Sequence, residues 1–385
     1  MRLVGTGAER ACAQPERLGA GARARVGLVT NQTGVLPDLT PTLDGLRSAG
    51  VHVTALFGPE HGVRGTAQAG FSEASSVDPE SGLPFFDTYR RTGSALDELI
   101  GQADVDVLVY DIQDIGCRCY TYVWTMADLM AAAARTGRAF TVLDRPNPIS
   151  GLAVAGPPLD PAYSSFVGRA EIPLRHGLTV GELARWLARH LDLDLDLRVV
   201  PLVGWRRADW YDRIGLPWVP PSVNMPTLDT ALVYSGTVLF EGTNLSEGRG
   251  TTRPFELIGA PYVDRRWAAA LRRVDLPGVA FRDAWFTPAW GPHAGTPQRG
   301  VQVHITDRLT VLPVRTALVM LRLLRELYPD DFAWRPPERD GRRFVDLLWG
   351  SDRLRRTVDA GADPLDLLAA QPTDVTWAGD ALLYD

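Results

Sequence analysis

The chain has 385 residues, 45% of them hydrophobic and 22% charged, with a formal net charge of -6. That length implies two domains, and the composition is that of an ordinary soluble globular protein. No run of Lys or Arg stands out and no apolar stretch reaches spanning length, which argues against a nucleic-acid surface, an anionic-membrane surface or a membrane anchor.

From the N-terminus, Met1-Arg2-Leu3-Val4-Gly5-Thr6-Gly7 lacks the long apolar core of a secretory signal. Gly5-Thr6-Gly7-Ala8-Glu9-Arg10 lacks the third glycine of a dinucleotide loop. Cys12, Cys117 and Cys119 have neither disulfide nor zinc-ligand spacing and fit reduced thiols. The expectation is a cytoplasmic protein, the alternative being a secreted one whose leader has been removed.

Val26-Gly27-Leu28-Val29-Thr30 reads as a strand ending in Asn31, and Thr42 to Ser48 as a helix. His52 to Phe57 is a second strand that runs into Gly58-Pro59-Glu60-His61-Gly62-Val63-Arg64-Gly65. Three glycines and a proline neither continue a strand nor begin a helix cheaply, so Glu60, His61 and Arg64 are presented on a loop. The plainer reading pairs Glu60 with Arg64 structurally. Val105 to Tyr110 is a third strand, ending in Asp111 and followed by Gln113, Asp114 and Arg118, with Tyr120 and Tyr122 as a possible sugar platform. Asp114 equally suits a helix cap. A helix over Tyr122 to Arg135 leads to a strand over Phe140 to Leu143, then to Asp144-Arg145-Pro146-Asn147-Pro148, which reads as readily as a stiff connector.

Strand and helix alternate through this half, which implies a parallel sheet with helices on both faces, an α/β class. The carboxyl ends of such strands share one edge, where ligands bind. Asn31, Glu60, His61, Asp111 and Asp144 are therefore expected to converge.

Thr179-Val180-Gly181-Glu182 has the form of a capping box, with Leu183, Trp186, Leu187 and His190 following at helical spacing. A short strand near Leu197 to Leu202 precedes a proline-rich crossover from Pro217 to Pro226, and the domain boundary is expected near residue 230, dividing 1–230 from 231–385. Phe240 to Arg253 holds Glu241, Asn244, Glu247, Arg249 and Arg253 among glycines, so a site loop is expected there. Val301 to Ile305 alternates like a strand, Val314 to Leu327 reads as an amphipathic helix, and two short helices surround Leu354 and Leu367.

No P-loop, His-Glu-x-x-His or Gly-x-Ser-x-Gly is present, and the six histidines show no ligand spacing, so neither metal nor cofactor is expected. Carboxylates, arginines, 11 Trp and 10 Tyr remain. That inventory suits glycoside hydrolysis, which needs two carboxyl groups about the scissile bond.

Gly27-Leu28-Val29-Thr30-Asn31-Gln32-Thr33-Gly34, Gly58-Pro59-Glu60-His61-Gly62, Asp144-Arg145-Pro146-Asn147-Pro148, Arg175-His176-Gly177-Leu178-Thr179, Glu241 to Thr251 and Gly300 to Arg308 resemble the NamZ family, formerly the DUF1343 proteins. The resemblance implies an exo-acting β-N-acetylmuramidase releasing terminal N-acetylmuramic acid from peptidoglycan fragments. It also implies a Rossmann-like N-terminal domain, a smaller α/β C-terminal domain and an active-site cleft between them. Its leading catalytic residue falls on Glu60. Val223 and Cys119 depart from the family pattern without removing an ionisable group.

Glu60 is expected as general acid, in a partly apolar enclosure that keeps it protonated near neutral pH. Asp111, Glu241 and Glu247 compete as second carboxylate. Asn31, His61, Arg64, Gln113, Arg118, Tyr120, Tyr122, Asn224, Asn244, Arg249 and Arg253 are the candidate substrate contacts. The lactyl carboxylate of the sugar calls for an arginine, with Arg64, Arg249 and Arg253 ahead of Arg118. The partner is a small carbohydrate rather than nucleic acid or membrane. Two other classes stay open: a non-catalytic binder of cell-wall fragments, and a metal-dependent hydrolase using Asp111 and Asp114.

Overall fold

Alternation along the first strands divides their side chains between two apolar layers. Val26 and Leu28 face one layer with Val107 and Val109, while Val29, Leu108 and Tyr110 face the other. A strand covered on both faces must be apolar throughout, and Val26–Thr30 and Val107–Asp111 are buried at every position. The computed structural model describes residues 3–21, 23–369 and 371–385; Met1 and Arg2, at the head of the segment read for a leader, lie outside them.

The N-terminal half runs α1 (Gly7–Ala13), β1 (Val26–Thr30), α2 (Thr42–Ser48), β2 (Val53–Gly58), β3 (Ser76–Val77), β4 (Pro84–Asp87), α3 (Ser94–Ala103), β5 (Val107–Asp111), α4 (Tyr122–Thr136), β6 (Ala139–Leu143), a β7–β8 hairpin (Ala155–Pro158, Pro173–Arg175), α5 (Val180–His190) and β9 (Leu197–Val200). The sheet order is β3-β4-β2-β1-β5-β6-β9, parallel except for the edge strand β3. Connections from β1 run one way through β2 and β4; those from β5 run the other way, so the switch point lies between β1 and β5. α1 and α2 pack together, as do α3 with α4 and α4 with α5. α5 starts in the expected capping box, Thr179 accepting from Glu182 N and Glu182 accepting from Thr179 N.

The C-terminal region runs α6 (Leu228–Thr237), β10 (Leu257–Ala260), α7 (Arg265–Leu271), β11 (Val279–Phe286), β12 (Gln298–Ile305), α8 (Pro313–Leu327), α9 (Phe344–Trp349) and α10 (Arg353–Asp359). Its three strands form an antiparallel sheet, β10-β12-β11, with α8 packed on α6 and α7. The helix expected around Leu367 is a 3-10 turn, Pro364–Leu368. One apolar cluster continues from the α3–α5 face of the large sheet into α6, α8 and the small sheet. Among the described residues no helix is long and apolar enough to cross a membrane.

Arg118 ties the two regions together. Its buried guanidinium donates to the carbonyls of Pro157 (2.6 Å) and Ile172 (2.7 Å) and to those of Leu348 and Trp349 (2.9 Å each) at the end of α9. A cation at a helix C-terminus also answers the helix dipole. Gly350, which ends α9 at φ 90°, leaves room for it, since a Cβ there would stand 2.9 Å from Arg118 Nη2.

Candidate active site

Above the carboxyl edge of the large sheet, a cavity of about 980 Å³ opens between residues from both sides of position 230. The loop after β2 supplies Glu60 and His61, the loop after β5 supplies Tyr120 to Tyr122, and the proline-rich passage supplies Ser222, Asn224 and Met225. The segment after α6 contributes Glu241, Glu247 and Arg249.

Glu60 owes its position to a loop that folds back on itself. His61 takes φ 72° and Gly62 φ 79°; any Cβ at Gly62 would stand 2.5 Å from the Glu73 side chain. His61 N donates to Phe71 O (2.9 Å), and Nδ1 lies 2.7 Å from Ala67 O. A carbonyl only accepts, so Nδ1 carries the proton. Glu60 Oε1 accepts from Gly70 N (2.7 Å) and Tyr89 OH (3.2 Å), and Oε2 accepts from Thr121 Oγ1 (2.6 Å). The expected apolar enclosure is therefore replaced by hydrogen-bond partners. Thr121 is the N-cap of α4, yet its hydroxyl makes no capping bond. A hydroxyl donates to a carboxylate or accepts from a carboxylic acid, so this contact serves Glu60 in both states. Burial and the nearby charge of Glu60 raise the Tyr89 phenol well above its ordinary range, with Arg90 pulling the other way.

The second acidic group is a pair braced by one cation. Arg249 donates to Glu241 Oε1 (2.7 Å), and its Nε lies 3.0 Å from Glu247 Oε1. The guanidinium sits 4.9 Å over the Phe255 ring. Burial pushes the Glu247 carboxyl up to about 7 against the opposing charge of Arg249, with Glu241 adding to the rise. Burial alone would lower Arg249, but the two carboxylates outweigh it and its guanidinium stays charged. Tyr122, Tyr120, Tyr234 and Phe255 continue the wall as edge-to-face pairs with centroids 5.0, 5.9 and 4.6 Å apart. Tyr120 and Tyr122 meet at 79° and so form no flat platform together. Asn224 Nδ2 is buried behind this wall without a protein hydrogen-bond partner, and the Tyr120 hydroxyl is buried beside Ser222 and Tyr122.

Several residues expected in the site lie elsewhere. Asp111 is fully buried and spends both oxygens on Arg145, at 2.6 and 2.8 Å. Asn31 accepts from Thr33 N (2.9 Å) and Oγ1 (2.6 Å), while Gln113 donates to the carbonyls of Asp114 (2.7 Å) and Pro146 (2.8 Å). These networks fill the crevice at the switch point and tie β1 and β5 to their loops. Asp144 accepts from Gly181 N (2.7 Å), Thr179 Oγ1 (3.0 Å) and Tyr384 OH; burial pushes it up to about 7 despite those bonds. Asp114 accepts from Gly116 N (2.7 Å) and faces His176 Nε2 at 3.2 Å, so it holds a turn rather than a helix end. The Asp111 and Asp114 carboxylates are thus engaged separately and do not form the joint metal site weighed from the sequence.

Arg64 turns to Asp78 (2.7 Å) and Glu80 (3.3 Å) instead of Glu60. Arg253 pairs loosely with Glu256 at 3.8 Å, and Arg118 is the buried strut described above; neither borders the cavity. Asn244 holds Asp331 O (2.8 Å) and Tyr262 OH (2.9 Å), also away from it.

A family model described as exo-β-N-acetylmuramidase NamZ, N-terminal, matches residues 26–229, and its C-terminal counterpart matches residues 232–376. The chain belongs to the NamZ family. It is 48% identical over 339 residues to the peptidoglycan β-N-acetylmuramidase NamZ of Bacillus subtilis, covering 88% of this chain and 80% of that protein. Two crystal structures of DUF1343 family proteins from Bacteroides fragilis superpose over nearly the whole chain. One gives a TM-score of 0.87 at 35% identity with full coverage of both chains, the other 0.74 at 30% with 99% coverage of each.

Within this NamZ-family cavity, Tyr89, Arg90, Thr121, Phe166 and Tyr234 line the wall without having been expected, as does the segment from Arg335 to Phe344. Thr121 lies inside a motif already singled out, beside Tyr120 and Tyr122. Tyr89-Arg90 and Arg335 to Phe344 fall in stretches without periodicity or glycine-rich motif, so no sequence signal marked them.

Proposed function

We infer that this chain is a glycoside hydrolase that releases terminal β-linked N-acetylmuramic acid from the non-reducing end of peptidoglycan fragments. Membership of the NamZ family and the Bacillus subtilis relative of that activity support the substrate. The observation that carries the chemistry is one cavity bordered by Glu60 on one segment and the Glu241–Arg249–Glu247 group on another. Two carboxyl groups about one bond are what glycoside hydrolysis requires.

In this reading Glu60 gives its proton to the glycosidic oxygen, the C1–O bond breaks, and its electron pair passes to that oxygen. Thr121 and Tyr89 hold the carboxyl group through the transfer. Positive charge developing at C1 is balanced by the Glu241–Glu247 pair, which Arg249 keeps in place; water then adds at C1 to give the free sugar, and the proton it loses passes to a carboxylate of the site. The site spans a cleft between an N-terminal catalytic part, 1–230, and a C-terminal part, 231–385. Action in the cytoplasm on imported fragments is the compartment that three cysteines without disulfide spacing favour.

A glycan whose non-reducing end is N-acetylmuramic acid, and one capped by N-acetylglucosamine, separate the readings. Release of free N-acetylmuramic acid from the first, with the second left intact, is expected. A binder of cell-wall fragments would retain the first glycan without shortening it.

A further inference from the structure

The lactyl ether of N-acetylmuramic acid places a carboxylate on the same ring whose C1–O bond breaks. A selective site therefore needs, close to Glu60, a cation that no protein carboxylate has already engaged. Five arginines border the cavity among the described residues: Arg90, Arg249, Arg335, Arg339 and Arg342. Arg249 serves Glu241 and Glu247, and Arg342 serves Asp340 at 2.6 Å. Arg335 lies 3.8 Å from Glu338 and over the Phe344 ring. Arg339 has no carboxylate partner but belongs to the C-terminal bank. Arg90 has none either, and it follows Tyr89, whose hydroxyl bonds Glu60.

Two further features mark Arg90. Its backbone sits at φ 56°, the left-handed region that residues bearing a Cβ avoid and that clusters at functional sites. Its guanidinium lies 4.4 Å from the Phe166 centroid and 5.2 Å from that of Tyr89, and Phe166 in turn stacks on Phe344 at 6.1 Å and 15°. Aromatic faces hold the guanidinium plane while its edge keeps N–H groups for a two-pronged carboxylate contact.

We propose that Arg90 reads the lactyl carboxylate of the terminal N-acetylmuramic acid at the Phe166-lined mouth of the cavity. The inference rests on the muramidase reading above. It replaces the expected arginines of the glycine-rich loops, of which Arg64 and Arg253 do not border the cavity and Arg249 is committed to carboxylates.

The test compares kcat/KM for 4-nitrophenyl β-N-acetylmuraminide with that for its lactyl methyl ester, which keeps the ring and leaving group and removes only the charge. Wild-type protein should prefer the acid by about ten-fold, the scale of one charge-assisted contact at a solvent-facing residue. Arg90→Ala should level the two substrates, and Arg90→Lys should keep part of the preference. Both variants should melt with the wild type, because the side chain is exposed. An undiminished acid preference in Arg90→Ala, as when Arg339 or Arg249 makes the contact, overturns the proposal, as does a wild type without any preference. Failure of the wild type to turn over either substrate is a separate outcome, which overturns the muramidase reading and the proposal with it.

Discussion

Asp111 illustrates how a partner distant in sequence decides what a carboxylate does. At the end of β5 it stands where a ligand-binding acid is expected, yet Arg145, 34 residues on, takes both oxygens and buries the pair. Removing one member of a buried pair strands the other charge, a loss of about 3–5 kcal/mol. Asp111→Ala is accordingly expected to lose that much stability in urea denaturation while kcat at a permissive temperature stays within a few-fold of wild type. A fully stable but inactive variant would return Asp111 to the chemistry. Glu60, by contrast, was legible because glycines and a proline on both sides left it no place in a strand or helix. The burial of Asp111, Gln113 and Arg118 was not, since it depends on carbonyls and charges contributed by other elements.

At the scale of elements, periodicity marked the central strands of the large sheet and several of its helices but not α1, α3, β3 or β4. β1 and α2 have the expected bounds, and β2, β5, β6, α4 and α8 shift by at most two residues. What periodicity does not carry is the loop that completes the cavity, since the stretch holding Tyr89 and Arg90 and the segment at 335–343 have no repeating pattern. The start of α4 joins the two kinds of information. An N-cap threonine normally bonds the first-turn amides, worth about 1 kcal/mol, but Thr121 directs its hydroxyl to Glu60. Thr121→Ala should therefore leave the melting transition almost unchanged and lower kcat by about ten-fold, with Thr121→Ser restoring it. A drop in stability without a change in kcat would mean that the hydroxyl serves the helix instead.

For the whole molecule, the two regions share an apolar cluster and the Arg118 strut, so the cavity between them is bounded by parts that hold their relative positions. From the residues themselves that arrangement was legible only as an alternation of strands and helices followed by a glycine-rich loop, the cleft between two domains being implied by the family resemblance alone. Which loops meet across the cavity is set by packing of α6, α8 and α9, and it left no trace in any single motif. The role proposed for Glu60 is to supply the proton in this cavity. Glu60→Gln keeps the shape and an acceptor oxygen while removing the transferable proton, so the direct measurement is release of N-acetylmuramic acid from a muramyl disaccharide, beside calorimetric binding of the free sugar. Release should fall by about 10²–10⁴-fold with binding changed only a few-fold; release near the wild-type rate would contradict that role.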